Sequence, residues 1–147
     1  MNTAGIANRR KLWYLVGKRT FAALFITAGV GHFVATDFFL KIMPPYLPFH
    51  LPLVLVSGVI EILLGILLLV PRYSRLAAWG IIALLIAVFP ANIHVYQHQE
   101  LFPLPPFVHL LRLPLQGVLI FSAFAYMRTD SASLRPEVLS SDTASFT

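Results

Sequence analysis

Apolar residues along this chain gather into four stretches of helical length, separated by short segments rich in proline, aromatic and basic residues. The cleanest is Leu51–Val70, twenty residues with one ionisable group, Glu61, near the middle. About 20 residues at ~1.5 Å each match the roughly 30 Å hydrocarbon core of a bilayer, so this pattern predicts a membrane-spanning helix. Three more spans are expected at about Thr20–Thr36, Leu76–Tyr96 and Phe107–Met127. The five-residue link Pro71–Arg75 makes the second and third spans antiparallel neighbours. The expected fold class is all-α, a four-helix transmembrane bundle running antiparallel, up-down-up-down. Residues 1–19 form a cytoplasmic or interfacial segment in this reading, 20–127 the membrane domain, and 128–147 a disordered cytoplasmic tail rich in Ser and Thr.

Small and polar residues mark the faces. In the first span Ala22, Ala28, Gly29 and Gly31 permit close helix approach, and His32 follows on the Phe25, Ala28, Gly29 face. In the second, Ser57, Gly58, Glu61 and Gly65 share a face, so Glu61 is expected to point into protein rather than lipid. A carboxylate left at mid-bilayer would otherwise cost at least ~2.5 kcal/mol. In the third, Gly80, Ala83, Ala87 and Ala91 form a stripe that His94 continues. Pro90 is expected to kink that helix and free a carbonyl for a polar neighbour, with Asn92 close by. In the fourth, His109, Arg112 and Gln116 share a face, and Pro114 is near enough to the start to be tolerated. Asp37–His50 and Gln97–Pro106 carry several prolines and are expected as loops that cap the bundle at the membrane surface.

Composition agrees with a membrane protein. A mean hydropathy of +0.78 with 58% hydrophobic residues is too apolar for a soluble domain of this size. With no cysteine, the chain offers no disulfide, no thiolate nucleophile and no iron–sulfur ligation of its own. The net charge of +5 suggests nucleic acid, but its placement does not: basic residues flank the apolar runs. Outside the spans, nine lie on one side (Arg9, Arg10, Lys11, Lys18, Arg19, Arg72, Arg75, Arg128 and Arg135) against Lys41 on the other. The positive-inside rule then puts both termini in the cytoplasm. A secretory or twin-arginine leader is not expected, because Lys18-Arg19 ends the apolar patch after Arg9-Arg10-Lys11 at six residues and a leader needs about 7–15. Trp13, Tyr14 and Trp79 suit interfacial anchors.

This topology gathers His32, Asn92, His94, Arg112 and Gln116 in the outer half of the membrane, with Ser57 beside them and Glu61 near the midplane. An asymmetric polar pocket opening outward is the simplest reading, and Arg112 is long enough to reach toward Glu61. Two readings of that pair stand. It is a structural ion pair that sets helix register, or Glu61 titrates and contacts a ligand. Asn92 and Gln116 are read first as interhelical glue, and His98 and His109 as ordinary interface residues. His32 and His94 would suit the axial positions of a b-type haem, yet a buried histidine more often hydrogen-bonds a carbonyl or carboxylate, and haem is not expected. No phosphate-cradling glycine loop, nucleophile elbow or His-Glu-x-x-His motif is present.

Several short motifs occur in order: Gly31-His32-Phe33, Pro44-Pro45-Tyr46-Leu47-Pro48, Ser57-Gly58-Val59-Ile60-Glu61 with Gly65 through Pro71, Phe89-Pro90-Ala91-Asn92-Ile93-His94, and Arg112-Leu113-Pro114-Leu115-Gln116. From Thr20 to Met127 the chain thereby resembles the DoxX-like family, small four-helix proteins of the bacterial plasma membrane, most without an assigned activity. The resemblance implies a redox setting, since relatives named DoxD serve as a membrane subunit of thiosulfate:quinone oxidoreductase. Thiosulfate oxidation itself does not carry over to a lone module without cysteine.

Two functions are expected from these observations. One is a redox-associated membrane subunit whose pocket takes a quinone or small acid. Arg112 and Gln116 would hold ligand oxygens, Glu61 would handle protons, and Asn92, His94, His32 and Ser57 would complete the lining. The other is a non-enzymatic membrane protein that binds or assembles a partner, such as a redox enzyme, with a purely structural polar cluster. A transporter is a weaker reading, since no broken-helix pair is evident.

Overall fold

A computed structural model describes residues 3–101 and 105–133, and those residues are helical with no strand among them. Five α-helices follow in order: α1 (Thr3–Val34), α2 (Thr36–Ile42), α3 (His50–Leu69), α4 (Ser74–Gln97) and α5 (Pro106–Ser133), with a 3-10 turn at Gln99–Leu101. Three are each long and apolar enough to cross a membrane: α3, α4, and Leu110–Arg128 of α5. A fourth crossing is available if α1 and α2 count as one span, a pair bent by 98°.

The α3 bounds lie within one residue of the apolar run that predicts them. The first helix departs from expectation in two ways. It begins at Thr3, well before Thr20, and runs straight through Lys18-Arg19. Charge does not stop a helix; Lys and Arg are good helix formers, and only the hydrophobic pattern breaks there. Lys18 is buried, its ammonium 5.9 Å from the Tyr14 ring, while its apolar stem covers neighbouring surface. At its other end α1 stops at Val34, where the Thr36 hydroxyl donates to the His32 carbonyl at 2.8 Å. The chain then turns sharply into α2, so much of the segment expected as a loop is helical, and the bent pair α1/α2 is a broken helix that the sequence did not announce. Proline returns control at Pro44, and His50 Nε2 donates to the Pro44 carbonyl at 3.0 Å, closing the turn before α3.

Packing runs in the order α1 on α3, α3 on α4, and α4 on α5, with α2 lying on α1, α3 and α4. The α1–α3 contact is close because it is built from glycine. A β-carbon on Gly29 would stand 2.6 Å from the Gly58 carbonyl oxygen, and one on Gly58 would stand 2.7 Å from the His32 β-carbon. Backbones can approach this closely only where neither residue has a side chain. Toward the start of α4 the interior is mainly apolar, with Phe21, Phe25, Leu68, Ile81 and Ala123 packed together. Tyr126 of α5 meets both Tyr14 and Phe21 of α1, at ring separations of 5.6 and 5.5 Å, so α1 and the end of α5 close the bundle there.

The small-residue stripe expected on α4 is not its buried face. Ala83 and Ala87 are exposed, while Ser74, Ala77, Ala78, Ile81, Ile82 and Leu85 are buried. Gly80 of the stripe does pack against Leu64 of α3, and the buried face combines small Ala77 and Ala78 with larger Ile81, Ile82 and Leu85, since α4 needs volume as well as proximity. Pro114 sits well inside α5 rather than in its first turn. The expected disorder from 128 onward is corrected as far as Ser133, where α5 ends; residues 134–147 lie outside the described residues.

Candidate functional site

Where the apolar interior gives way, all five helices contribute to one cavity of about 310 Å³. His32 comes from α1, Ser57 and Glu61 from α3, Asn92 from α4 and Arg112 from α5. Phe38, Phe39 and Ile42 of α2 close it on one side. Its size is at the lower end of small-molecule sites, and its mix of apolar wall with a few converging polar groups is typical of them.

Helix geometry explains the convergence. His32 sits three residues beyond Gly29, so the close α1–α3 crossing carries it against α3. Its Nδ1 donates to the Val54 carbonyl at 2.8 Å and lies 2.9 Å from the Ser57 hydroxyl. The Ser57 hydroxyl itself donates to the same carbonyl at 2.9 Å. A carbonyl can only accept, so the Nδ1 proton is committed and Nε2 is the nitrogen free to gain or lose one. That nitrogen faces Glu61 Oε1 at 3.7 Å, within ion-pair range but too long for a hydrogen bond. The other carboxylate oxygen, Oε2, is buried with no hydrogen-bond partner among the described residues. Phe39 covers the imidazole, with ring centroids 3.8 Å apart.

On the opposite wall, Asn92 Nδ2 donates to Gln116 Oε1 at 2.9 Å, and Gln116 Nε2 donates to the Leu85 carbonyl. These two bonds join α4 to α5 just below Pro90, whose missing amide leaves the neighbouring Ile86 carbonyl without its usual helical donor. Gln116 is buried and spent on this link, so it stands behind the cavity rather than in it. Arg112 lines the cavity, half-buried, and no hydrogen bond or ion pair to its guanidinium occurs among the described residues.

The expected Glu61–Arg112 ion pair is therefore not made. The reason lies in the packing order: α4 stands between α3 and α5, so the acid and the base face each other across the cavity instead of meeting on adjacent helices. The acid's ionisable neighbour is His32. His94 does not join the cluster. It lies two residues from Asn92, which turns it to another side of α4, and its ring rests 4.3 Å from that of His98. Among the named candidates, Glu61, His32, Ser57, Asn92 and Arg112 share the cavity, while Gln116 touches it only through Asn92. Sequence reasoning missed the apolar lining, Phe38, Phe39 and Ile42 of α2 and Val54 and Val88 of α3 and α4 among it. The aromatic pair Phe38-Phe39 was the available signal, since bulky aromatics beside a proline-rich turn suit a cover over a polar hollow.

A family model described as a domain of unknown function, DUF8561, matches residues 21–127, and the chain belongs to that family. No curated protein and no solved structure matches it.

Proposed function

We propose that this member of the family is a four-span protein, running up-down-up-down in a bacterial plasma membrane, whose cavity binds a small oxygen-bearing ligand, a quinone head group or an organic acid. The contact of Tyr14 with Tyr126 supports placing the first part of α1 and the last part of α5 on one side, where the basic residues argue for cytoplasm. The cavity then lies toward the opposite face. In the DoxX-like reading such a protein works as a membrane subunit beside a redox enzyme.

The observation that carries the binding reading is Arg112. A guanidinium half-buried against a cavity wall, with no acceptor from its own chain among the described residues, is costly within a membrane unless something supplies oxygen. Asn92 lies in the same cavity and keeps one amide proton beyond the one given to Gln116. Together they suit a carbonyl or carboxylate oxygen. Across the cavity, His32 Nε2 and Glu61 Oε1 are placed to hold a proton between them. The residues therefore supply oxygen recognition on one wall and proton handling on the other.

The test is direct binding to purified protein in lipid nanodiscs, using a tail-free benzoquinone and benzoate. Wild type should bind at least one, and Arg112→Gln should weaken that binding more than tenfold while the protein still elutes as a folded species. Absence of binding to both would refute the reading.

A further inference from the structure

The proton arithmetic of His32 and Glu61 narrows the ligand class further.

Resting on the binding reading above, we infer that the ligand bears a hydroxyl as well as an acidic oxygen: a hydroxy acid rather than a plain acid or quinone. The oxygen-only end meets Arg112 and Asn92. The hydroxyl meets His32 and Glu61.

The argument begins with His32. Its Nδ1 proton is held by the Val54 carbonyl, so only Nε2 is left to address the cavity. Glu61 Oε2 is walled in, which leaves Oε1, the oxygen facing Nε2, as the one a ligand can reach. At 3.7 Å, Nε2 and Oε1 are too far apart to hydrogen-bond directly. They lie slightly closer than two atoms bridged by one oxygen, so a small side-chain rotation admits that oxygen between them. With one proton shared by the pair, the histidine side donates and the carboxylate side accepts. The bridging group must then accept from Nε2 and donate to Oε1. A hydroxyl does both. A carbonyl oxygen accepts from Nε2 but sets its lone pairs against those of Oε1. An ether has the same defect. Moving the proton onto Glu61 reverses the two roles and leaves the requirement unchanged, since one partner still gives and the other still takes. Phe39, stacked on the imidazole, supplies an apolar face beside this point and favours an aromatic carrier for the hydroxyl.

Benzoate, 3-hydroxybenzoate, 4-hydroxybenzoate and 4-methoxybenzoate separate the possibilities when titrated against full-length protein in nanodiscs. At least one hydroxybenzoate should bind tenfold or more tightly than both benzoate and the methoxy compound. In Glu61→Leu, whose side chain neither gives nor takes a hydrogen bond, that preference should shrink to about two- to threefold or less, while benzoate binding stays near wild type. In Arg112→Gln every compound should weaken together. Equal affinity for hydroxy, methoxy and unsubstituted acids would overturn the hydroxyl inference and leave the cavity as an acid site. Loss of binding for all four compounds and for the benzoquinone would overturn both. Should Glu61→Leu not fold, the comparison of hydroxy with methoxy compounds in wild type decides the matter alone.

Discussion

The two halves of this bundle are built on opposite terms. Around Phe21, Leu68, Ile81 and Met127 the helices meet through apolar atoms that fill the interior. Around His32, Glu61, Asn92 and Arg112 the same helices hold a cavity of about 310 Å³ between polar groups that do not satisfy one another. In lipid, helix association comes from packing and from hydrogen bonds rather than from expulsion of water. The first half has packing without gaps, and holds the bundle. The second has gaps with unpaired charge, and can be sustained only because the first half and the glycine crossing hold the helices in place. Stability and candidate function are thus separated along the length of the bundle.

This comparison can be broken by substitution. The largest effect is expected at the crossing shared by both halves. Gly58→Leu forces side-chain carbon into the His32 β-carbon and the Gly29 carbonyl, at 2.7 and 2.9 Å already for a β-carbon, and should abolish recovery of folded protein after detergent extraction. Next comes the dry half: Leu68→Ala removes a fully buried side chain and should cost about 2 kcal/mol or more in a reversible unfolding assay. A smaller loss is expected for Gln116→Leu, which leaves the Asn92 amide without its partner and removes the added bond to the Leu85 carbonyl; hydrogen bonds of this kind in membranes are worth roughly 0.6–1.7 kcal/mol. The smallest is Glu61→Gln. Because no ion pair to Arg112 is broken, its stability should change by less than about 1 kcal/mol in the same assay. A loss of 3 kcal/mol or more there, the scale of a broken buried pair, would mean that the two charges do meet, and would return the cluster to a structural role.

Much of the architecture is readable from residue order. The apolar run predicts α3 nearly to the residue, and Gly58 and Gly65 correctly mark its packed face. The α4 stripe fails because small residues show where helices can approach, not where they do. Ala83 and Ala87 are as small as Ala77 and Ala78, and only neighbouring helices decide which pair is covered. The start of α1 and the helix α2 were hidden by a related confusion. Charge and aromatic content interrupt a hydrophobic pattern, but neither interrupts backbone hydrogen bonding.

The sequence by itself determined that this chain has membrane-length helices and that a few ionisable residues fall within them, because length and hydropathy act locally along each helix. It also named the polar residues that line the cavity, because periodicity assigns each to a face. Tertiary structure alone decided who partners whom. With α4 between α3 and α5, Glu61 faces His32 and leaves Arg112 across an open space. Partnership depends on the order of helices around the bundle, and no periodicity within a single helix encodes that order.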